Sequence, residues 1–196
     1  MFGIRKYVDF CFHKENFIGL IALILSVLAI YFFNIQVIYE NSILENIQLI
    51  ALFVAFVFCF KVKNHKVFFH FLAFIMFLMF MREISYGRAI FAQIPGTNGH
   101  DCYTWKEIKY GYLAHYIVGL YMASALLYGL VNKVWVDIID MVKNIKMPFW
   151  TFFGSVGCVF LQIISEKTLH DTRVEETAEL VLYCLILALI IIYRKK

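Results

Sequence analysis

The chain has 196 residues, 62% hydrophobic and 16% charged, with a mean hydropathy of +0.75 and a net charge of +4. Ordinary soluble domains are about 45–50% apolar, so a water-soluble globule is excluded as the ground state of this composition. The basic excess is explained below by where it lies, and a nucleic-acid partner is not expected.

A spanning helix needs about 20 mostly apolar residues, because the hydrocarbon core is roughly 30 Å thick. Six stretches qualify: Phe17–Asn34, Ile43–Phe60, Val67–Tyr86, Tyr110–Val131, Pro148–Ser165 and Val174–Tyr193. Lipid offers the backbone no hydrogen-bond partner, so such runs are helices. The expected fold is all-α: one transmembrane domain over residues 1–196, a six-helix bundle.

In chain order, Phe2–Phe12 reads first, as a weakly amphipathic surface helix. The first span is too long for a signal-peptide core and no small-residue cleavage site follows it, so it reads as a retained anchor. Ser42 and Glu45, at the start of the second span, match the capping box S/T-x-x-E, as do Thr104 with Glu107 before the fourth and Thr172 with Glu175 before the sixth. The third span carries a lone histidine, His70, which reads as a hydrogen bond within the bundle, and ends in Arg82, Glu83, Ser85 and Arg88. Gln93–Thr104 is a turn-rich run with His100 and Asp101, either a lid or a simple connection. After the fourth span, Val134, Ile138, Met141, Val142 and Ile145 recur at helical spacing, which predicts an interfacial helix between spans four and five. Four of the five cysteines fall inside or within the membrane and only Cys102 in an outer loop, so no disulfide is expected.

Lys and Arg collect in cytoplasmic segments. With the N-terminus inside, the inner segments hold Arg5, Lys6, Lys14, Lys61, Lys63, Lys66, Lys133, Lys143, Lys146, Arg194, Lys195 and Lys196, which is 12 of the 18 basic residues. Both ends are therefore expected in the cytoplasm. No internal repeat is found, which removes the usual mark of an inverted-repeat transporter.

Depth can be reckoned at 1.5 Å per residue. Glu83 lies about 25 Å beyond Lys66, His115 about 7 Å past Tyr110, Gln162 about 21 Å past Pro148 and Glu179 about 7 Å past Val174. With Asn46 and Gln48, they form one polar layer in the outer leaflet above a nearly apolar inner half. Buried ionisable groups in membranes usually face the bundle interior or a cavity, so an outward-opening polar cup is expected. Glu83, His115, Glu179 and Ser85 are the candidate catalytic residues, with Arg82, Arg88 and Gln162 as candidate substrate contacts. Glu176 stands one turn before Glu179. Glu83, His115, His170, Asp171 and Glu179 would be the ligands of a divalent metal such as zinc, although no HExxH or comparable spacing is present. Arg82 and Arg88 have a second reading, as counter-ions of the glutamates.

The string from Glu83 through Ser85, Tyr86, Gly87 and Arg88 to Phe91 resembles E-x-S-W-G-Q-R-I-F, a signature of uncharacterised bacterial polytopic membrane proteins. In that resemblance Asn98, His115 and the pair Glu175–Glu176 correspond to further shared positions, while Arg82, Tyr86 and Arg88 replace Glu, Trp and Gln. It implies a bacterial inner-membrane location and adds weight to Glu83 and Ser85. A weaker similarity to alkaline-ceramidase-like membrane hydrolases implies carboxylate, serine and histidine around zinc; their paired histidines on the last helix are absent.

The leading expectation is a membrane-embedded hydrolase or transferase acting on a lipid or lipid-linked substrate at the outer leaflet. The alternatives are a non-enzymatic membrane partner, such as an assembly factor or toxin-immunity protein, and a small-solute transporter. Membrane lipids are the expected partners, with a protein partner or a homo-oligomer as a further option.

Overall fold

The structure is a computed structural model that describes residues 7–32, 43–87, 92, 94–95, 103–169 and 171–195. It is mostly helical. The helices among the described residues are α1 (Asn16–Val27), α2 (Ile43–Cys59), α3 (Lys66–Glu83), α4 (Tyr112–Val131), α5 (Val134–Asn144), α6 (Phe149–Ile164) and α7 (Thr172–Arg194). Wider π turns extend α1 through Leu28–Phe32 and α6 through Ser165–Leu169. Among the described residues, three helical segments are long and apolar enough to cross a membrane: α4, α6 with its π turn, and α7.

α7 is the centre. Ala178 to Leu185 are all buried, as are Leu187, Ala188, Ile190 and Ile192, so every face of the helix is covered. A helix apolar all round belongs in a core or a membrane. α1, α2 and α6 pack on it, α3 packs on α2, and α4 and α5 lean on α3. The packing stripes are built from small residues: Gly19, Ala22 and Ser26 on α1, and Ala51, Ala55 and Cys59 on α2. The large apolar side chains point outward instead, among them Ile21, Leu25, Phe53, Tyr116, Ile117 and Leu120. Small residues let helix backbones approach closely, the pattern expected where lipid is the solvent.

Leu185 shows how tight that approach is. A Cβ at Gly19 would stand 2.6 Å from Leu185 Cδ2, and one at Gly154 would stand 3.0 Å from Leu185 Cδ1. The leucine is thus seated between two glycine notches, one on α1 and one on α6.

At one end of the bundle the connecting segments touch each other. Val8 and Asp9 pair in parallel with Met147 and Pro148. The Asp137 carboxylate on α5 accepts the Phe68 N–H in the first turn of α3 at 3.1 Å. His65 Nδ1 stands 3.6 Å from Asp140. Glu15, just before α1, pairs with Lys195, just after α7. Thr151 donates to Asn16 Oδ1 at 2.5 Å. The Lys195 ammonium bonded to Glu15 holds that carboxyl below its ordinary value of 4.5.

Several expectations require correction. The N-terminal stretch is not a helix over Tyr7–Phe12, because Val8 and Asp9 pair with another segment; the part before Tyr7 lies outside the described residues. The helix expected between the fourth and fifth apolar stretches is present as α5. It is separated from α4 by Lys133, whose positive φ of 52° stops α4 from running on. The third span ends at Glu83 rather than Tyr86, where Ser85 and Tyr86 take φ values of 48° and 54°. The Thr104–Glu107 box does close, with Glu107 accepting the Thr104 N–H at 2.7 Å and its hydroxyl at 2.8 Å. It closes a turn, however, and α4 starts only at Tyr112, after Tyr110 at φ 63°. Those bonds hold the Glu107 carboxyl below its ordinary value. α7 is capped one residue earlier than expected: Asp171 Oδ1 accepts the Arg173 N–H at 2.9 Å. Ser42, the first proposed cap, lies outside the described residues.

Candidate functional site

The other end of the bundle gathers polar side chains from four helices. Arg82 and Glu83 close α3, Glu176, Glu179 and Tyr183 lie along the first three turns of α7, Gln162 ends α6 and Gln48 lies in the second turn of α2. The i, i+3 and i+4 spacing on α7 puts Glu176, Glu179 and Tyr183 on one face.

Arg82 is the hub. Its Nη2 donates to Glu83 Oε1 at 2.9 Å, to the Tyr183 hydroxyl at 3.1 Å and to Glu179 Oε1, while its Nε reaches Glu83 Oε1 at 3.3 Å. The Tyr183 hydroxyl in turn donates to Glu83 Oε1 at 2.7 Å. Gln162 donates to Glu179 Oε1. Beside this network, Gln48 Nε2 donates to the Glu176 carboxylate at 2.9 Å and to the Glu176 carbonyl at 3.1 Å, and the buried Gln48 Oε1 has no partner among the described residues. The side chains of Glu83 and Glu179 are 7% and 6% exposed, whereas that of Arg82 is 48% exposed. Two buried carboxylates therefore share one guanidinium that is itself open on one side. Removing a charge from water costs several kcal/mol unless it is paired and hydrogen-bonded, and here each carboxylate is both.

Glu83, Glu179 and Gln162 are brought together as expected, and Arg82 is at their centre as their counter-ion. Tyr183 was missed. Its position four residues after Glu179 was the signal that would have found it. His115 is not part of the cluster: it is exposed on α4 and lines a separate cavity of about 130 Å³ with Tyr86, Trp105, Ala114 and Val118. Ser85 is half-buried on the left-handed turn just after Glu83. Successive left-handed non-glycine residues cost about 1–2 kcal/mol each, and such strain concentrates at functional sites. Asp171 is engaged as the α7 cap, and its carbonyl accepts from Ser165 at 2.5 Å. His70 accepts the bundle role expected of it, 3.4 Å from the Tyr128 hydroxyl. Arg88, His100, Asp101 and His170 lie outside the described residues.

Of the proposed metal set, His170 lies outside the described residues, and the other members are not assembled into one site. Among the described residues no three His, Cys, Asp or Glu side chains are placed to hold one ion. Glu83 and Glu179 converge on Arg82 instead, which carries the positive charge a metal would bring. No protein-family model, curated protein or solved structure matches the chain.

Proposed function

We propose that this is an integral membrane protein crossing the bilayer six times with both ends in the cytoplasm, and that the Arg82 cluster is the site of a membrane-embedded hydrolase or transferase. Its substrate would be a lipid or lipid-linked molecule reached from the outer leaflet, and its setting a bacterial inner membrane. The observation that carries this reading is the pair Glu83 and Glu179: two buried carboxylates from distant segments held on one half-exposed guanidinium. Intramembrane ionisable groups are expensive and mark function by default. One of the pair would act as acid and the other as base, with Tyr183 orienting Glu83 and Gln162 orienting Glu179. Arg82 would steady the pair, and Ser85, on its strained turn, would be the further substrate contact. No step is assigned to His115 or to zinc.

The number of crossings is supported by the contacts among the four segments assigned to the inner side, which meet one another at one end of the bundle while the polar cluster forms at the other.

A second reading, a non-enzymatic assembly or immunity partner, is favoured by the closure of the Arg82 network on itself. One experiment separates the two. Lipid extracts from cells expressing the wild-type chain, Glu83→Gln or Glu179→Gln at matched membrane levels are compared by mass spectrometry. The enzyme reading expects a lipid species that changes with the wild type and with neither variant. Variants that reproduce the wild-type profile would leave the partner reading standing.

A further inference from the structure

Glu176 differs from the other two glutamates of the cluster in having no cation beside it. Glu83 and Glu179 share Arg82. The Glu176 carboxylate has one partner among the described residues, the Gln48 amide, which donates to one of its oxygens at 2.9 Å. Its other oxygen makes no bond among those residues and is not enclosed, since Glu176 is only half-buried. The charges that act on this carboxylate most strongly are Glu179, Glu45 and Glu83, all of them negative. Within the cluster, Glu83, Glu176 and Glu179 are thus three carboxylates against the single guanidinium of Arg82. An ionisable group in a membrane is expensive unless paired, so this corner of the cluster calls for a further positive charge.

Gln48 indicates what kind. It is fully buried, and its amide oxygen has no donor among the described residues. That oxygen belongs to the same amide whose nitrogen holds Glu176. Two acceptors on touching side chains therefore both lack an N–H or O–H, and an unmet buried acceptor is costly. A bare divalent ion of the calcium or magnesium kind takes six or more oxygens, and among the described residues no three His, Cys, Asp or Glu side chains converge to supply them. A primary ammonium carries three donors and no acceptor, and its bond to a carboxylate is of the strong, charge-assisted kind. We propose that Glu176, backed by Gln48, binds a primary ammonium group, carried either by a lipid head group of the ethanolamine type or by a small free amine. Calling that amine part of a substrate rests on the reading of the Arg82 cluster given above; the binding itself does not.

The test uses the full chain, purified in detergent and stripped of lipid. In one arm, bound lipid is counted by intact-complex mass spectrometry. Phosphatidylethanolamine should be retained about tenfold more tightly than phosphatidylcholine, which has the charge without the N–H donors, or phosphatidylglycerol, which has neither; tenfold corresponds to about 1.4 kcal/mol. In the other arm, ethanolamine should raise the melting temperature more than sodium chloride at the same concentration. A preference in the first arm assigns the ammonium to a lipid, and a preference in the second arm alone assigns it to a free amine. Glu176→Gln keeps an acceptor for the Gln48 amide and should abolish the preference. Glu176→Asp, which draws the carboxylate back by one methylene, should weaken it. Glu175→Gln removes the same charge from the adjacent position, which does not share the face of Glu176, and should leave the preference intact. The proposal is overturned if the wild type shows no preference in either arm, if both Glu176 variants keep it, or if Glu175→Gln loses it as fully as Glu176→Gln. Selective binding with lipid profiles that do not respond to Glu83→Gln or Glu179→Gln would sink the enzyme reading alone, and lipid turnover without selective binding would sink this proposal alone.

Discussion

Arg82 holds two like charges together, and its removal is the sharpest residue-scale perturbation available. Arg82→Ala would leave Glu83 and Glu179 facing one another, with only Tyr183 and Gln162 as donors. Breaking a fully buried pair costs about 3–5 kcal/mol. Because the Arg82 side chain is half-exposed, water screens part of this, and about 1–3 kcal/mol is expected. The loss should be read as a lower melting temperature in detergent at neutral pH. Adding Glu179→Gln to Arg82→Ala should recover part of the stability, since Glu83 then loses its nearest like charge. A double variant no more stable than Arg82→Ala would show that the network is not electrostatic in origin. Depth along each helix was legible in the sequence, and it identified Glu83, Gln162 and Glu179. Direction around the helix was not legible for His115, because α4 is apolar on nearly every side and offers no polar stripe to fix its rotation.

Among the elements, α7 is held by notches rather than by matched bulk. Gly19 and Gly154 give up side chains so that Leu185 can sit between α1 and α6. Gly19→Val should therefore overpack that contact and cost about 1–3 kcal/mol. Leu185→Ala in the same chain should return part of the loss, because it vacates the space the new side chain needs. A double-mutant cycle on melting in detergent measures this, and simple additivity of the two single losses would refute the notch. The element boundaries show which signals carry and which do not. Apolar length located six of the helices well, since each long apolar run contains one. The caps were less reliable, because Asp171 and Thr172 are both good N-cap residues and the structure uses the first. The break between Val131 and Val134 was legible as a change from an apolar run to an amphipathic one, but the positive φ of Lys133 that makes it has no sequence signal.

For the whole molecule, the contacts between chain ends constrain how many times the chain crosses. Glu15 precedes α1, Lys195 follows α7, and they form an ion pair, so in the proposed topology the two ends would share a side and the number of crossings would be even. The pair also predicts a pH response. Glu15 has its carboxyl held below 4.5 by the Lys195 bond, so its contribution is full above that ordinary value and is lost as the pH falls through the lower folded value. Lys195 is exposed, which limits the effect to about 1 kcal/mol or less. The gap in melting temperature between wild type and Glu15→Gln should be present at pH 7 and close in acid; a gap that persists through pH 3 would deny the pair any role. Side-sharing alone does not say which side. The proposed orientation rests on the distribution of lysine and arginine, twelve of the 18 belonging to the sequence segments assigned to the cytoplasm. Single cysteines placed on a background without the native five turn this into a measurement. Lys109→Cys, in the turn before α4, should react with a membrane-impermeant maleimide on intact cells. Lys63→Cys, between α2 and α3, should react only after the membrane is opened. The reverse pattern would invert the molecule and carry the Arg82 cluster to the cytoplasmic leaflet. Labelling of both on intact cells would break the even count, and with it the reason for treating the two ends of the bundle as two leaflets.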